Sequence, residues 1–423
     1  MERADHSRIV AERGGRGYVQ RPYMYHGHEF AHRTYYRDGR AYDHFYRRYP
    51  YHGVFIEAYA PPIYYAPAFY GWVYNPWVAP ITYTWGFVGN PWYGYYGAYF
   101  TPFPVYPTAS LWLTDYLVSQ TLMAAYQANV VAAANAQAAA NAQAAAAAAS
   151  QAPPPAPAPD AVALTPEVKQ MIAEEVKRQL ALENQEATLA ARHEEPDPAS
   201  SGIARMLSDN IQHVFIAGAA IDVVDANGNE CAISEGDALQ LSGPPAADAT
   251  AANLVMLSTK GGVECKKGAT VSVALADLQD MQNHMRETIS AGMGDLQKNQ
   301  SKGGLPAMPA SAKAAPVKAD FAAEAPPPDQ TAAAQINQQL QQADGVEKEA
   351  LADVPADGAA PAAGGAAAAP AGPPKTISMG QSFDEVTSIL GAPKSIVDLG
   401  PKKIYVYPDM KITFNNGKVS DVQ

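Results

Sequence analysis

Three residues near the start of the chain could hold a metal ion. His28, Glu29 and His32 form the pattern His-Glu-x-x-His. On a helix, the two histidines would share one Zn²⁺ and the glutamate would act as a general base, which is the arrangement of a metallopeptidase. His26 adds another imidazole, so adventitious metal binding by His26, His28 and His32 is a second interpretation.

The residues around this motif do not favour a metallopeptidase. Gly27 and the neighbouring Tyr, Arg and Gly residues lack the pattern of a buried helix, and Tyr35 and Asp38 stand where the extended motif has a glycine and a third histidine. No nucleophile elbow, phosphate-binding loop or dinucleotide fingerprint occurs in a strand–helix setting. The sequence therefore predicts a protein that is not an enzyme and has no cofactor.

Cys231 and Cys265 are the only cysteines. The Asn227-Gly228 turn precedes the first and Lys266-Lys267-Gly268 follows the second, so they could form a disulfide between non-adjacent strands. Two buried free thiols are the alternative, and neither cysteine has a second ligand at zinc spacing. A disulfide would stabilise its domain by roughly 4 kcal/mol on the chain-entropy model. It also predicts export, because disulfides persist in oxidising compartments.

Charge is distributed unevenly along the chain. The net charge is −12, which does not favour specific nucleic-acid binding, yet residues 1–52 contain ten Arg, six His and only six acids. The best candidate membrane span, Leu111 to Ala134, is interrupted by Asp115 and by amides, so no transmembrane span is predicted. No signal peptide begins at Met1, so export assumes that one lies upstream.

The predicted fold class is multidomain with extensive disorder, long Ala-rich helices and two small modules. The first module, residues 203–300, has six short β-type runs, hairpin turns and a following helix, which indicates a small SH3-like β-barrel. The helix at 165–195 has an N-cap Thr165, Pro166 and an apolar stripe typical of a coiled coil or docking helix. The other predicted regions are a disordered basic head (1–52), an aromatic Pro/Gly-rich segment (53–108), an Ala-rich helix (109–150), a Pro/Ala linker (151–164), an Ala/Pro-rich linker (301–375) and a C-terminal module (376–423).

The C-terminal module combines one helix with an antiparallel meander. Ser382 to Glu385 form a capping box, Gly391 is a C-cap, Pro393 ends the helix, and four short strands follow. The module resembles the SmpA/OmlA (BamE-like) family. The residues that carry this resemblance are Gly380-Gln381-Ser382, Glu385-Val386, Leu390-Gly391-Ala392-Pro393, Tyr405-Val406-Tyr407 and Phe414 to Val419.

This resemblance implies a binding module of the cell envelope rather than a catalyst, because the family's best-known members are outer-membrane lipoproteins that help β-barrel assembly. The rest of the chain resembles uncharacterised bacterial envelope proteins in its layout. We therefore expect a non-enzymatic binding or scaffold protein in the periplasm or at the outer membrane. Its partner would be a protein or another envelope component.

The aromatic residues of the N-terminal quarter leave four interpretations open. Twenty of the 24 Tyr lie at or before Tyr106. Tyr and Trp favour interfaces, so they could bind glycan, peptidoglycan or the outer-membrane interface. They could mediate self-association through Tyr–Arg contacts, or stack on nucleic-acid bases. Residues 53–108 could also simply wrap on the helix Leu111–Tyr126 as a hydrophobic cap.

Overall fold

The computed structural model contains both helices and strands. It describes residues 7–12, 16–37, 40–143, 161–329, 332–336, 338–339, 341–342, 386–387, 395–399, 402–406, 411–415 and 418–422. The chain divides into two units, Met1–Val354 and Pro355–Gln423.

The first unit begins with a five-stranded antiparallel sheet whose strands follow one another in chain order. Two of its hairpins close through a His-Gly pair, His26-Gly27 and His52-Gly53, in which both residues have positive φ (46° and 82°, 47° and 79°). These are the backbone angles of type I′ turns, which match the twist of antiparallel strands. The strands are β1 (Arg8–Glu12), β2 (Arg16–Tyr25), β3 (His28–Arg37), β4 (Arg40–Tyr51) and β5 (Val54–Ala60).

This sheet corrects the prediction that residues 1–52 are disordered. Phe30 and Phe45 pack against Phe321 on one face, and on the other face the Tyr46 hydroxyl donates to the Glu287 carboxylate at 2.6 Å. Because both faces are covered, the alternation of polar and apolar residues that marks a half-buried strand is absent. Arg47 is 1% exposed and lies over the Phe321 ring, with its guanidinium carbon 5.1 Å from the ring centroid.

The aromatic segment forms short elements that pack on one long helix. Prolines stand in the first turns of α1 and α2, where a missing backbone N–H costs nothing. The N-terminal half of α3 is buried by these aromatics, whereas Val130 and Val131 farther along are exposed. The elements are β6 (Ile63–Tyr64), α1 (Pro67–Tyr74), α2 (Pro91–Tyr96) and α3 (Ala109–Gln143).

A second long helix, α4 (Pro166–Ala190), packs against α1 and α3. The Thr165 hydroxyl accepts a hydrogen bond from the Val168 N–H and caps this helix. Its apolar stripe, which includes Ile172 and Val176, joins the same core as the aromatic segment. Two short helices follow, α5 (Pro198–Ser201) and α6 (Ile203–Ser208).

The predicted barrel region forms a four-stranded antiparallel sheet in the order β12-β11-β10-β7, together with a β8–β9 hairpin. The disulfide partners Cys231, on β9, and Cys265, in the β11–β12 connection, have Cα atoms 4.9 Å apart. The strands are β7 (Val214–Ile216), β8 (Ile221–Val224), β9 (Glu230–Ile233), β10 (Ala238–Leu241), β11 (Ala251–Met256) and β12 (Thr270–Ala274), and helix α7 (Leu275–Asn299) follows.

Helix α7 covers the outer edge of β5 with polar side chains. The Asn283 amide accepts from the Tyr59 N–H and donates to the Glu57 carbonyl, both at 2.8 Å. The Arg286 guanidinium donates to the Tyr59 carbonyl at 2.8 Å. These bonds satisfy edge groups that would otherwise be open to another strand.

Buried charges join α4, α7 and the sheet. Arg286 and Glu186 form an ion pair at 2.7 Å, with side chains 1% and 2% exposed. Nearby Glu183 accepts a hydrogen bond from the Tyr70 hydroxyl at 2.9 Å. Burial raises the pKa of Glu183 to about 7, although Arg286 and Tyr70 act in the opposite direction. The carboxyl is therefore protonated more readily than an exposed glutamate.

Residues 301–329 correct the first part of the predicted linker at 301–375. Leu305, Met308 and Phe321 are buried, and β13 (Val317–Lys318) pairs with β6. A 3₁₀ turn at Ala310–Ala312 and α8 (Asp320–Glu324) complete the segment. Local composition is poor in large apolar residues, but these few find partners in elements far away in the chain. Most of the remaining linker lies outside the described residues.

The second unit contains a sequential antiparallel meander. Its strands are β14 (Ser395–Leu399), β15 (Lys402–Val406), β16 (Lys411–Asn415) and β17 (Lys418–Val422). The register shifts between Thr413 and Phe414, where β16 pairs with β17. Val386 is helical and buried, whereas the predicted capping box, Gly391 and Pro393 lie outside the described residues.

Candidate binding surface

An unusually long stretch of the first unit carries no charge. From Ala58 to Thr114 the chain contains no Asp, Glu, Lys, Arg or His, although it contains all five tryptophans. Asp115 is the only charged residue between Glu57 and Asp160. Any surface formed by this stretch must therefore be uncharged.

The inner side of this stretch is a hydrophobic core. Phe69, Trp92 and Phe100 pack with Leu113 and Leu117 of α3 in a single cluster. Trp85 stacks on Trp112 with ring centroids 5.2 Å apart. The interpretation that residues 53–108 form a hydrophobic cap on the long helix therefore describes the inner side of the segment.

A buried network around Asp115 holds the segment on α3 and α4. The Asp115 carboxylate is fully buried and pairs with the Lys169 ammonium at 2.7 Å. It accepts hydrogen bonds from the Tyr106 hydroxyl at 2.7 Å and the Phe103 N–H at 2.5 Å. The Trp85 ring N–H in turn donates to the Tyr106 hydroxyl at 2.7 Å. Burial raises the pKa of Asp115, and Lys169 opposes this shift.

The outer side presents apolar side chains to solvent. Val78 is fully exposed, Val88 is 76% exposed, and Tyr74 and Val105 are 47% and 42% exposed. Four exposed prolines lie in the same loops and helix starts: Pro76, Pro80, Pro91 and Pro104. We call these eight residues the uncharged face.

The loops of the uncharged face are tied to each other by backbone hydrogen bonds. Ile81 and Tyr106 form an antiparallel bridge, and the Trp77 N–H donates to the Pro107 carbonyl at 3.0 Å. Val78 and Val105 therefore belong to neighbouring segments rather than to independent tips. The Val88 turn is closed by the Asn90 N–H, which donates to the Phe87 carbonyl at 2.9 Å.

The structure does not bring together the residues of the alternative zinc motif. His28 and His32 lie on strand β3, not on a helix. Residues four apart on a strand are separated by about 13 Å, too far to share one zinc ion. Glu29 pairs with Arg48 at 2.7 Å, and His26 occupies the β2–β3 turn beside Tyr25. Within the described residues, no group of three or more His, Cys, Asp or Glu side chains could hold a metal ion.

The sequence missed two features of this unit. His32 is buried and pairs with Asp43, and the Asp38-Gly39 pair between β3 and β4 is the hairpin signal that could have placed them on neighbouring strands. The uncharged stretch was visible as a run without ionic residues. The exposure of its valines depends on tertiary packing and has no local signal.

Comparisons with known proteins add no relative: no family model, curated protein or solved structure matches the chain. Among the helices that the structure describes, none has the length and apolarity needed to span a membrane.

Proposed function

We propose that this is a non-enzymatic binding or scaffold protein of the bacterial cell envelope, and that the uncharged face contacts its partner. The observation that carries the proposal is the exposure of Val78 and Val88 within a stretch that has no charged residue. Surfaces designed for solubility have about 25–35% Lys, Arg, Glu and Asp residues. Exposed apolar side chains on segments without charge are typical of an interaction site.

The chemistry of the uncharged face selects among partners. Nucleic acid is disfavoured, because its binding requires Lys or Arg contacts to phosphate and the stretch provides none. Tyr74 and the exposed valines suit an uncharged partner such as a protein surface, a glycan or the interface of a membrane. Prolines fix the loop backbones, so that less conformational entropy is lost on binding.

Two further observations support a place in the envelope. The Cys231–Cys265 disulfide is a bond that persists in oxidising compartments such as the periplasm. The meander β14–β17 belongs to the segment that resembles the SmpA/OmlA (BamE-like) family, whose modules bind partners at the outer membrane. We also propose that this C-terminal module binds a partner. We further propose that β7–β12 form an SH3-like unit, which would be a second binding unit.

Binding assays with the full chain test the role of the uncharged face. We would measure co-sedimentation with purified peptidoglycan and with outer-membrane lipid vesicles, and self-association by analytical ultracentrifugation. The double variant Val78→Asp/Val88→Asp should lose whichever interaction the wild-type protein shows. The matched control is Val130→Asp/Val131→Asp, because Val130 and Val131 are also exposed (45% and 38%) but lie farther along α3, outside the uncharged face and outside β7–β12. An equal loss in both double variants would contradict the proposal.

Thiol labelling tests the envelope location separately. Protein isolated from its own cells under alkylating, non-reducing conditions should show no label on Cys231 or Cys265. Two labelled thiols would count against export while leaving the binding assays unaffected.

A further inference from the structure

A second site lies in the first unit and is formed by residues other than those of the uncharged face. A cavity of about 530 Å³ opens between the sheet β1–β5, which we call the head sheet, and the segment 316–328. Its walls are mostly apolar, and they include Phe45, Ile63, Pro316, Ala323 and Pro327. Ligand-binding cavities commonly have this size and this apolar character, with a small number of polar groups.

His32 is the buried polar group of this cavity. Its ring is 2% exposed, stacks on Phe45 with centroids 4.6 Å apart, and lines the cavity. Nε2 lies 2.8 Å from Oδ1 of Asp43, and the Thr34 hydroxyl donates to the same oxygen at 2.8 Å. Burial raises the pKa of Asp43, but the hydrogen bonds from His32 and Thr34 outweigh it, so the pKa is lowered overall.

The hydrogen bond to Asp43 determines what the other ring nitrogen can do. An ionised carboxylate only accepts hydrogen bonds, so Nε2 must carry the proton. In the neutral ring Nδ1 is then an acceptor, and it is buried with no hydrogen-bond partner in the described part of the chain. A buried acceptor without a donor is costly, so a ligand that provides a donor gains the affinity that the protein alone does not realise.

We propose that this cavity binds a small, mainly apolar molecule that carries one hydroxyl or N–H donor, as a phenol does. The apolar body packs against Phe45, Ile63 and the proline walls, and the donor bonds to Nδ1 of His32. The ammonium of Lys318, which also lines the cavity, can meet a polar substituent at the rim. A molecule of the same shape without the donor leaves Nδ1 unsatisfied and binds more weakly.

A pair of probe ligands tests the role of the donor without altering the protein. We would compare 2-naphthol with 2-methoxynaphthalene, which has the same ring system but no O–H, by isothermal titration calorimetry at pH 8. The full chain should bind 2-naphthol roughly tenfold more tightly, the factor expected for one hydrogen bond to a buried acceptor. Equal affinities, or no binding of either probe, would overturn the proposal.

Two variants then locate the site. His32→Phe keeps a ring against Phe45 but removes the acceptor, so the preference for 2-naphthol should disappear. Ala323→Trp places a large side chain in the cavity wall and should weaken both probes. Ala246→Trp, at an exposed loop position elsewhere, is the control and should change neither affinity. Circular dichroism checks that each variant is folded, and a preference that survives His32→Phe would refute the assignment.

Discussion

The head sheet and the uncharged stretch Ala58–Thr114 are both rich in tyrosine, but they use charge in opposite ways. In the sheet, Arg33 lies over the Tyr46 ring at 4.2 Å and pairs with Glu57 at 2.7 Å. Across the sheet and its helices, buried cations and carboxylates form part of the core. In the uncharged face, exposed valines and prolines meet solvent with no charge near them in sequence.

This difference predicts that stability and binding depend on different regions of the molecule. Removing one partner of a buried ion pair leaves an uncompensated charge, so the sheet region should respond strongly to single substitutions. Exposed side chains contribute little to folding, so changes in the uncharged face should alter binding while stability stays constant. The following predictions probe this contrast.

The largest effect should come from Arg286→Met. This change leaves Glu186 buried without its partner and removes a hydrogen bond to the Tyr59 carbonyl. We expect the free energy of unfolding to fall by about 3–5 kcal/mol in urea titrations. The control Arg48→Met breaks a half-exposed pair with Glu29 and should cost less than about 1 kcal/mol. Similar losses of unfolding free energy in the two variants would show that the buried pair contributes no more to stability than the half-exposed pair.

The pH dependence of stability should reveal the raised pKa of Glu183. Its pKa is raised from 4.5 to about 7 in the folded state, so the folded protein holds this proton more tightly than the unfolded chain. The resulting stabilisation is complete below pH 4.5 and is lost as the pH rises through 7, by up to about 3 kcal/mol. Glu183→Gln should flatten the curve of unfolding free energy between pH 5 and 8. If the unfolding free energy of this variant depended on pH as in the wild-type protein, Glu183 would not be the group responsible.

Asn283→Ala should have a smaller effect, confined to the edge of β5. Loss of two hydrogen bonds, to the Tyr59 N–H and the Glu57 carbonyl, is expected to cost about 2 kcal/mol. The exchange of the Tyr59 amide hydrogen should become faster. Gln297→Ala is the control on the same helix, because Gln297 donates only at an exposed site and should cost under about 0.5 kcal/mol.

The smallest effect on stability should come from Val78→Asp/Val88→Asp. Both side chains are exposed, so the unfolding free energy should change by less than about 0.5 kcal/mol while partner binding is lost. The measurement is urea unfolding beside the co-sedimentation assay. A destabilisation of several kcal/mol would mean that these valines belong to the core.

Elements with local signals could be predicted from the sequence. Helix α4 begins where Thr165 and Pro166 indicate, and the six strands β7–β12 lie within a few residues of the apolar runs. Their turn residues, caps and periodicity are all contained in short windows. Helix α3 is likewise visible from its Ala, Leu and Gln content.

The head sheet could not be predicted in the same way. Tyr25-His26-Gly27 and Tyr51-His52-Gly53 are equivalent turns, but histidine is an uncommon residue for a type I′ turn. The residues that cover the sheet, such as Phe321 and Asn283, are more than 200 positions away in the chain. The site has the same limit, because Asp43 and His32 meet only through strand register and the cavity wall comes from the segment 316–328.

The covered edge of β5 also limits how copies of this protein can assemble. A sheet with two available edges can add molecules indefinitely and grow into a fibre. Here Asn283 and Arg286 occupy backbone hydrogen-bonding groups of Glu57 and Tyr59 at the β5 edge, so another strand cannot be added there. A second copy of this protein therefore cannot extend the sheet through β5, and fibre growth by strand addition at both edges is blocked.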